Sequence, residues 1–533
     1  MPEAVSTTSA LPGPALDVSA WRLRRIKDAL LCLSLANLCL IHAWFGVLFQ
    51  EDLGYFNKLS VTGMTLAGLL LNLAWFALLF WLASGLVRRR GGRWLQLGAD
   101  AALCVLMLAP LNFLRINLFQ YSGVRVLALA SKPLVLVAGV VAIVLFLRWH
   151  RPCARQARMV LAIFLPLVLF TLVQIGWAWI HLADRALPRP PANPPLLRGA
   201  APDQPRVVWI IFDELDRRLV FDQRPSGMRL PEFDRLKAEA LDATNAFSPA
   251  GVTMKALPAL ITGRVVTSSI PCSASDTLLG WQDGGRPEPW SGVSNVFTRS
   301  RDLGLNSGMA GWYHPYARVL GASVNRVEWV PSSLFEMARG NGLGETMYNQ
   351  VATMLPFLHA RFLAIQRRKF LLPRAREMAA SPDLHLTFLH LPVPHKPGVF
   401  DAATDSFTPF AFSTARGYFD NLALCDRILG EVRRALADHG LADRTWILVS
   451  SDHWWRESAA YDGRVDTRVP FLLKAPRDRR GTILPLPFNT VVSSDLVLAI
   501  LRGEVRDQRE AAAWLQLHGV SPPKSYGRYG EPL

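Results

Sequence analysis

The side chains able to do chemistry fall in four short stretches. In FSPAGVTMKALPALITGR, residues 247–264, Thr253 stands ten positions before Gly263 with few other reactive groups nearby. Asp213, Glu214 and Asp216 follow the apolar run VVWIIF; Ser451, Asp452 and His453 follow TWILVS; His395 and Lys396 sit in PVPHKP, after LHLTFLHL. Carboxylates and imidazoles are suitable donors for a divalent cation. A threonine hydroxyl is a weak nucleophile near neutral pH until a metal or base activates it. Taken singly, each residue has an ordinary structural explanation. Thr253 could cap a helix, as could Asp213; His453 could be a surface histidine and His395 a loop residue between prolines. Their joint placement after successive apolar runs argues for a site.

The elements that must position them are short buried strands. RVVWIIF, LHLTFLHL, TWILVS and VPFLLKA read as strands, and residues 418–438 as a helix between two of them. That alternation predicts an α/β domain with a mainly parallel sheet between helices. In such sheets, sites form beyond the carboxyl ends of the strands, which is where the acids and histidines fall.

The order and wording of these stretches resemble a family. VVWIIFDELD, LPEFDRLKAEALDATNAF, GVTMKALPALITGR, LGLNSGMAGWYHPY, LHLPVPHKPGVFD, YFDNLALCDRILGEVRRAL, ILVSSDHWWRE and RVPFLLKAP follow one another as in the sulfatase branch of the alkaline phosphatase superfamily, over about 206–500. In that family the nucleophile stands ten residues before the glycine of the TG ending, which here is Thr253. Sulfatases carry a cysteine or serine that becomes formylglycine, a conversion threonine cannot undergo. The chain is similar to the membrane-anchored phosphoethanolamine and phosphoglycerol transferases, which use threonine and join an N-terminal membrane bundle to an outer catalytic domain. The resemblance implies a divalent metal, Zn²⁺ or Mn²⁺ with Mg²⁺ and Ca²⁺ as alternatives. Its implied ligands are Glu214, Asp452, His453 and Thr253, with Asp213 in the other acidic position. It implies that His395 (the PHxP histidine) and His314 (the histidine of GKWH, here GWYH) contact the transferred group or protonate the leaving oxygen. Lys255 or Lys396 would pair with its charge.

The chain departs from the sulfatase pattern at four positions. Trp312 replaces the lysine of GKWH, Trp454 the glycine after SDH, and Leu257 the arginine of CxPSR. Pro258 predicts that the following helix begins near itself, with Thr253 on the turn before it. These changes argue against sulfate ester cleavage.

Composition locates the site at a membrane. The 533 residues are 51% hydrophobic, with a mean hydropathy of +0.20 and a net charge of +16. Residues 1–183 hold sixteen basic and six acidic residues, so most of the excess flanks hydrophobic segments and points to membrane topology rather than nucleic acid. Apolar segments at 28–50, 61–87, 95–114, 133–148 and 159–182 predict a five-helix transmembrane bundle over 1–183. Basic clusters before the first span and after the second and fourth predict a cytoplasmic N-terminus and a domain outside a bacterial-type plasma membrane. Residues 116–131 are apolar enough to lie along the outer interface or to form an ordinary loop. A proline-rich linker is expected at 184–205, a catalytic domain at 206–505 and a C-terminal tail at 506–533. The six cysteines form no CxxC pair; Cys272 and Cys425 could form one disulfide or stay as thiols.

Three functions fit this reading. One is a phosphotransferase moving a phospholipid head group by way of Thr253 to a glycan or lipid acceptor. The others are a membrane-tethered hydrolase of phosphate or sulfate esters, and an inactive sulfatase-like binding domain.

Overall fold

The computed structural model describes residues 18–49, 55, 61–119, 132–183, 189–197, 204–330, 342–410, 414–527 and 530–533, which form two compact units. Among the described residues, the first unit holds seven apolar helices in its N-terminal part: α1 (Val18–Cys39), α2 (Ile41–Leu48), α3 (Gly63–Arg90), α4 (Arg93–Leu106), α5 (Leu108–Phe119), α6 (Lys132–Ile163) and α7 (Leu165–Ile180). Two spans, Gly63–Arg90 and Arg93–Arg115, are by themselves long and apolar enough to cross a membrane. The count rises to four if the bent pairs Arg22–Cys39 with Ile41–Leu48 and Gly139–Ile163 with Leu165–Ile180 each make one span. α6 is itself broken at Trp149, whose φ/ψ of −118°/18° is not helical. All five apolar segments are therefore helical, but their division into spans differs from the simple one-helix-per-segment expectation. Of the interface stretch at 116–131, residues 116–119 end α5 and the remainder lies outside the described residues.

Polar contacts inside this unit are few and specific. Asp100 on α4 accepts from Arg158 Nη2 (3.0 Å) and pairs with His150 Nδ1 (2.9 Å), both on α6. A helix at Leu343–Ala352, far downstream in sequence, also belongs to this unit. Its Gln350 donates to Thr65 O (2.8 Å) and accepts from Asn72 Nδ2 (2.9 Å), both on α3. The expected boundaries did not include this exchange, because one short amphipathic helix of ten residues inside a long domain carries no compositional shift.

The second unit is an α/β domain around an eight-stranded sheet. Its strands are β1 (Arg206–Asp213), β2 (Leu241–Ala243), β3 (Ser307–Trp312), β4 (Arg326–Val330), β5 (Leu386–Pro394), β6 (Thr445–Ser450), β7 (Phe471–Lys474) and β8 (Thr482–Leu484), in the order β8-β2-β7-β6-β1-β5-β3-β4. Pairing is parallel except where β7 meets β6 and β2. β1 lies at the centre, parallel to β6 (Ile211↔Ser450) and β5 (Phe212↔Leu391), so three carboxyl ends come side by side. Val207, Trp209 and Ile211 enter one core and Val208, Ile210 and Phe212 the other, which is why β1 reads as an unbroken apolar run. One core is covered by α8 (Thr253–Thr262) and α10 (Ser493–Leu501), the opposite one by α9 (Thr414–Asp438), among other elements.

Three sequence expectations change here. α8 starts at Thr253 itself, with Val252 as N-cap and Pro258 inside. A proline at the sixth helical position removes its own backbone hydrogen bond and crowds the carbonyl of Met254, and this helix accepts that cost while burying Leu257, Leu260 and Ile261. The proline-rich segment does not hang free: Asn193 Nδ2 donates to Gly321 O and Val324 O (3.0 Å each), and Asn325 Nδ2 donates to Pro195 O (2.9 Å). The stretch after 505 is not a loose tail either, since it forms a helix at Gln508–His518 and then returns to the loop that carries Thr253. Cys272 is an exposed thiol and Cys425 a buried one.

Candidate metal centre and nucleophile

Asp213 ends β1, and Asp452 and His453 lie just past β6. Their ligand atoms all fall within 4.8 Å of one another, and all three side chains are buried. His453 Nε2 is 3.4 Å from Asp452 Oδ2 and 3.9 Å from Asp213 Oδ1. Thr253 Oγ1 stands 3.2 Å from the same nitrogen. Thr253 opens α8, so the positive end of that helix's dipole adds to the site. Ser451 holds the two strand ends in register: its Oγ donates to Phe212 O (2.7 Å) and accepts from Leu215 N (2.9 Å). Glu214 turns the chain there with φ +67°, an uncommon left-handed conformation for a glutamate, and its N–H reaches Asp452 Oδ1 at 3.3 Å.

The electrostatics call for a cation. Both Asp213 carboxylate oxygens, Asp452 Oδ2 and His390 Nε2 are buried without a hydrogen-bond partner. Each unsatisfied buried acceptor costs about 1–3 kcal/mol. Burial and the neighbouring Asp452 push the Asp213 carboxyl up to about 7. Burial also opposes ionisation of Asp452, but His453 and His390 outweigh it and hold that carboxyl below its ordinary value. A divalent ion bound by Asp213, Asp452 and His453 would give both buried carboxylates a partner, and Thr253 would lie at its edge.

The other expected residues divide. Glu214 is buried, but its Oε1 accepts from Arg456 Nε and Nη2 (3.3 Å each), and it lies outside the Asp–Asp–His group. His395 follows β5, its N–H donating to Asp213 O at 3.0 Å. Arg368 Nη2 (2.7 Å) and Asn421 Nδ2 (3.2 Å) both donate to the His395 carbonyl and pin the PVPHKP loop. His395 Nδ1 lies 2.6 Å from Lys396 O, so Nδ1 carries the proton and Nε2 is left for chemistry. His314 has partners on both nitrogens. Nε2 donates to Thr253 O and Nδ1 accepts from Tyr55 Oη, each at 3.2 Å, and burial lowers its pKa to about 3. Both nitrogens of His314 are thus engaged, one of them by the carbonyl of the first residue of α8. Lys255 pairs with Glu531 at 3.4 Å and Lys396 with Glu457, so the charge of each lysine is already balanced. Trp312 is packed among the His390 and His395 rings and the Arg367 guanidinium, and Trp454 against Tyr526.

Sequence reasoning missed His390, Tyr55, Arg456 and Arg368. His390 was hidden inside an apolar strand, although the strand's period of two puts it on the same face as Leu386 and Phe388. Tyr55 lies some 259 positions from its partner, and nothing local announces that contact.

Residues 205–497, more than half of the chain, match the sulfatase family. The chain belongs to that family, in the sulfatase branch of the alkaline phosphatase superfamily, and is an enzyme of sulfatase-like type. Among solved structures it is similar to the PsFucS1 sulfatase from Pseudoalteromonas sp., at 15% identity over 56% of this chain and 68% of that one, TM-score 0.41. It is similar also to the phosphonate monoester hydrolase of Agrobacterium radiobacter (14% identity, 56% and 74%, TM-score 0.37). A third similarity is to the lipoteichoic acid synthase LtaP from Listeria monocytogenes (14% identity, 56% and 72%, TM-score 0.35). No curated protein matches the chain.

Proposed function

We propose that this protein is a metal-dependent, membrane-anchored phosphotransferase. It moves a phospholipid head group, phosphoethanolamine or phosphoglycerol, through Thr253 to a glycan or lipid acceptor outside a bacterial-type plasma membrane. The observation that carries this reading is the Thr253 hydroxyl, 3.2 Å from His453 Nε2 at the edge of a buried acidic cluster. A threonine there cannot become formylglycine, which argues for phosphoryl rather than sulfuryl chemistry.

Thr253 Oγ bonds to phosphorus as the bond from phosphorus to the diacylglycerol oxygen breaks. The threonine proton is released and the leaving oxygen gains one. An acceptor hydroxyl then attacks phosphorus, the Thr253–phosphorus bond breaks, and threonine regains its proton. His395 Nε2 is the group we assign to proton transfer, while His314 fixes the carbonyl of Thr253 and hence the first turn of α8. A bound divalent cation supplies positive charge that lowers the hydroxyl pKa and polarises the phosphoryl oxygens. Binding it would fall to Asp213, Asp452 and His453, with Thr253 beside them and Glu214 close by, its Oε1 held by Arg456.

A lipid donor requires the site to work at a bilayer surface, and the apolar helices supply the anchor. Residues 132–180 would extend about 70 Å as one helix, against a hydrocarbon core of about 30 Å. In the reading we propose, this stretch makes two crossings that part near the non-helical Trp149, giving five spans with a cytoplasmic N-terminus.

The test is to incubate the purified protein with labelled phosphatidylethanolamine or phosphatidylglycerol. Covalent label on wild type and none on Thr253→Ala is expected. Equal label on both, or none with either donor, overturns the reading; brisk release to water without an acceptor favours the hydrolase.

A further inference from the structure

We propose that Tyr418 and Asn421, one turn apart on α9, are positioning residues that hold the strand-end acids and His395 in mutual register. The inference rests on the metal and proton-transfer roles proposed above and gives them a shared support. Both side chains are buried. Tyr418 serves the metal side. Its Oη donates to Glu214 O (2.9 Å) and accepts from Asp216 N (3.2 Å), so one hydroxyl closes both ends of the turn after β1. That turn contains the left-handed Glu214, a conformation that persists only where its surroundings enforce it. The Tyr418 ring also stacks on Trp455, with centroids 4.0 Å apart and planes 8° apart. Trp455 follows Asp452 and His453 in the loop after β6, so this one side chain touches both loops that carry the acidic cluster.

Asn421 serves the His395 side. Its Nδ2 donates to the carbonyls of Pro394, His395 and Pro397 (3.2 Å each), and its Oδ1 accepts from Val399 N (3.4 Å). The PVPHKP loop is thus wound about a single amide. Loop and helix also meet backbone to backbone beside it. A Cβ on Gly398 would come within 2.3 Å of Gly417 Cα, and one on Gly417 within 2.8 Å of Gly398 Cα. Only glycines permit that approach, and it sets the height of the loop over α9. His395 N then donates to Asp213 O, the carbonyl next to the one that Tyr418 takes. Residues three apart share a helix face, so one face of α9 places the acids and the imidazole together. The distance between them matters because a displacement of about 1 Å at a reacting group costs on the order of a hundredfold in rate.

The experiment uses the full-length protein, stripped of metal and reloaded with Zn²⁺. Chelator competition gives zinc affinity. Thr253 labelling is followed with vesicles of labelled phosphatidylethanolamine or phosphatidylglycerol at varied concentration, and thermal unfolding without metal reports folding. Tyr418→Phe should bind zinc about tenfold more weakly, as expected for loss of an outer support of a metal site. Asn421→Leu should bind zinc like wild type and label at least about tenfold more slowly at unchanged KM. Added to His395→Ala, it should cost nothing further, because it acts through that imidazole. Asn421→Ser replaces the leucine variant if that one does not fold. Wild-type zinc affinity in Tyr418→Phe, or an Asn421 effect that multiplies in full with His395→Ala, reduces α9 to a structural support and overturns the proposal. Wild type that binds no zinc or takes no label, or His395→Ala that labels like wild type, removes the metal or proton-transfer role itself, and the proposal falls with it.

Discussion

Tyr55 Oη donates to His314 Nδ1 at 3.2 Å, and the other nitrogen of that ring donates to the carbonyl of Thr253. A residue from the connection between the first two apolar segments is thereby joined by two hydrogen bonds to the backbone of Thr253. Tyr55 is held in turn by Arg318, whose Nη2 donates to its carbonyl at 3.0 Å, and it is 1% exposed. Tyr55→Phe removes one neutral hydrogen bond worth about 1 kcal/mol. We expect the rate of Thr253 labelling to fall about fivefold by that figure, with KM and zinc content unchanged. Steady-state labelling at varied donor concentration checks this; a change confined to KM counts against an orienting role.

The same contact constrains membrane topology. Tyr55 and the sulfatase-like domain are parts of one compact unit, so an even number of crossings must separate them. Cys272, an exposed thiol of that unit, gives an internal reference. In intact cells, an impermeant maleimide should react with Cys272 and with Thr62→Cys, and should spare Gly92→Cys. Reaction at Gly92→Cys but not at Thr62→Cys would invert the orientation.

Asp216 makes stability fall with rising pH. Burial raises its carboxyl to about 7, only partly offset by the Leu219 N–H and the Arg218 charge, and Oδ2 has no partner. The folded chain therefore keeps a proton that the unfolded chain releases near pH 4. Between about pH 4 and 7 this group costs up to about 1.4 kcal/mol for each pH unit; below pH 4 the cost vanishes. Asp216→Asn retains the acceptor for Leu219 and lacks the titration. The variant should match wild type at pH 4 and unfold at a higher temperature at pH 8, as read by thermal melts.

Gly251 lies under Trp454. A Cβ there would sit 2.8 Å from the indole and 3.3 Å from Gly530 Cα. Gly251→Ala must displace the loop leading to Thr253, at a cost of about 1–3 kcal/mol for overpacking. Labelling should drop more than tenfold while zinc affinity, set by strand-end residues, moves little. A fall in zinc affinity as large as the loss of labelling would show that loop and metal cluster do not separate.

The sequence is most readable where the physics is local. The strand at 206–213 announces itself by its apolar run, and the acids beyond it by their position after that run. Thr253 could be found because its distance from Gly263 is counted along the chain. Contacts made across long sequence distances leave no such trace. Glu214 looks equivalent to Asp213 on paper, and its left-handed backbone and the approach of Arg456 distinguish them. Pro258 suggests a late helix start because propensity is weighed without the burial that overrides it. The bends inside the apolar segments, such as the non-helical backbone at Trp149, are not registered by a hydropathy profile.

The loop that carries Thr253 takes its last supports from much later residues. Gly251 N donates to Gly530 O at 2.8 Å, Tyr526 Oη donates to Ser248 O at 2.7 Å, and Lys255 meets Glu531, 276 positions downstream. A ribosome adding about 5–20 residues per second needs tens of seconds to make that stretch. Throughout that interval the hydroxyl exists without its brace, whereas the acidic strand ends can assemble once residue 453 has emerged. If Thr253 is the nucleophile we propose, competence arrives in two instalments during biosynthesis, and an interrupted translation product would carry the assembled Asp213–Asp452–His453 cluster beside a hydroxyl still lacking its supports.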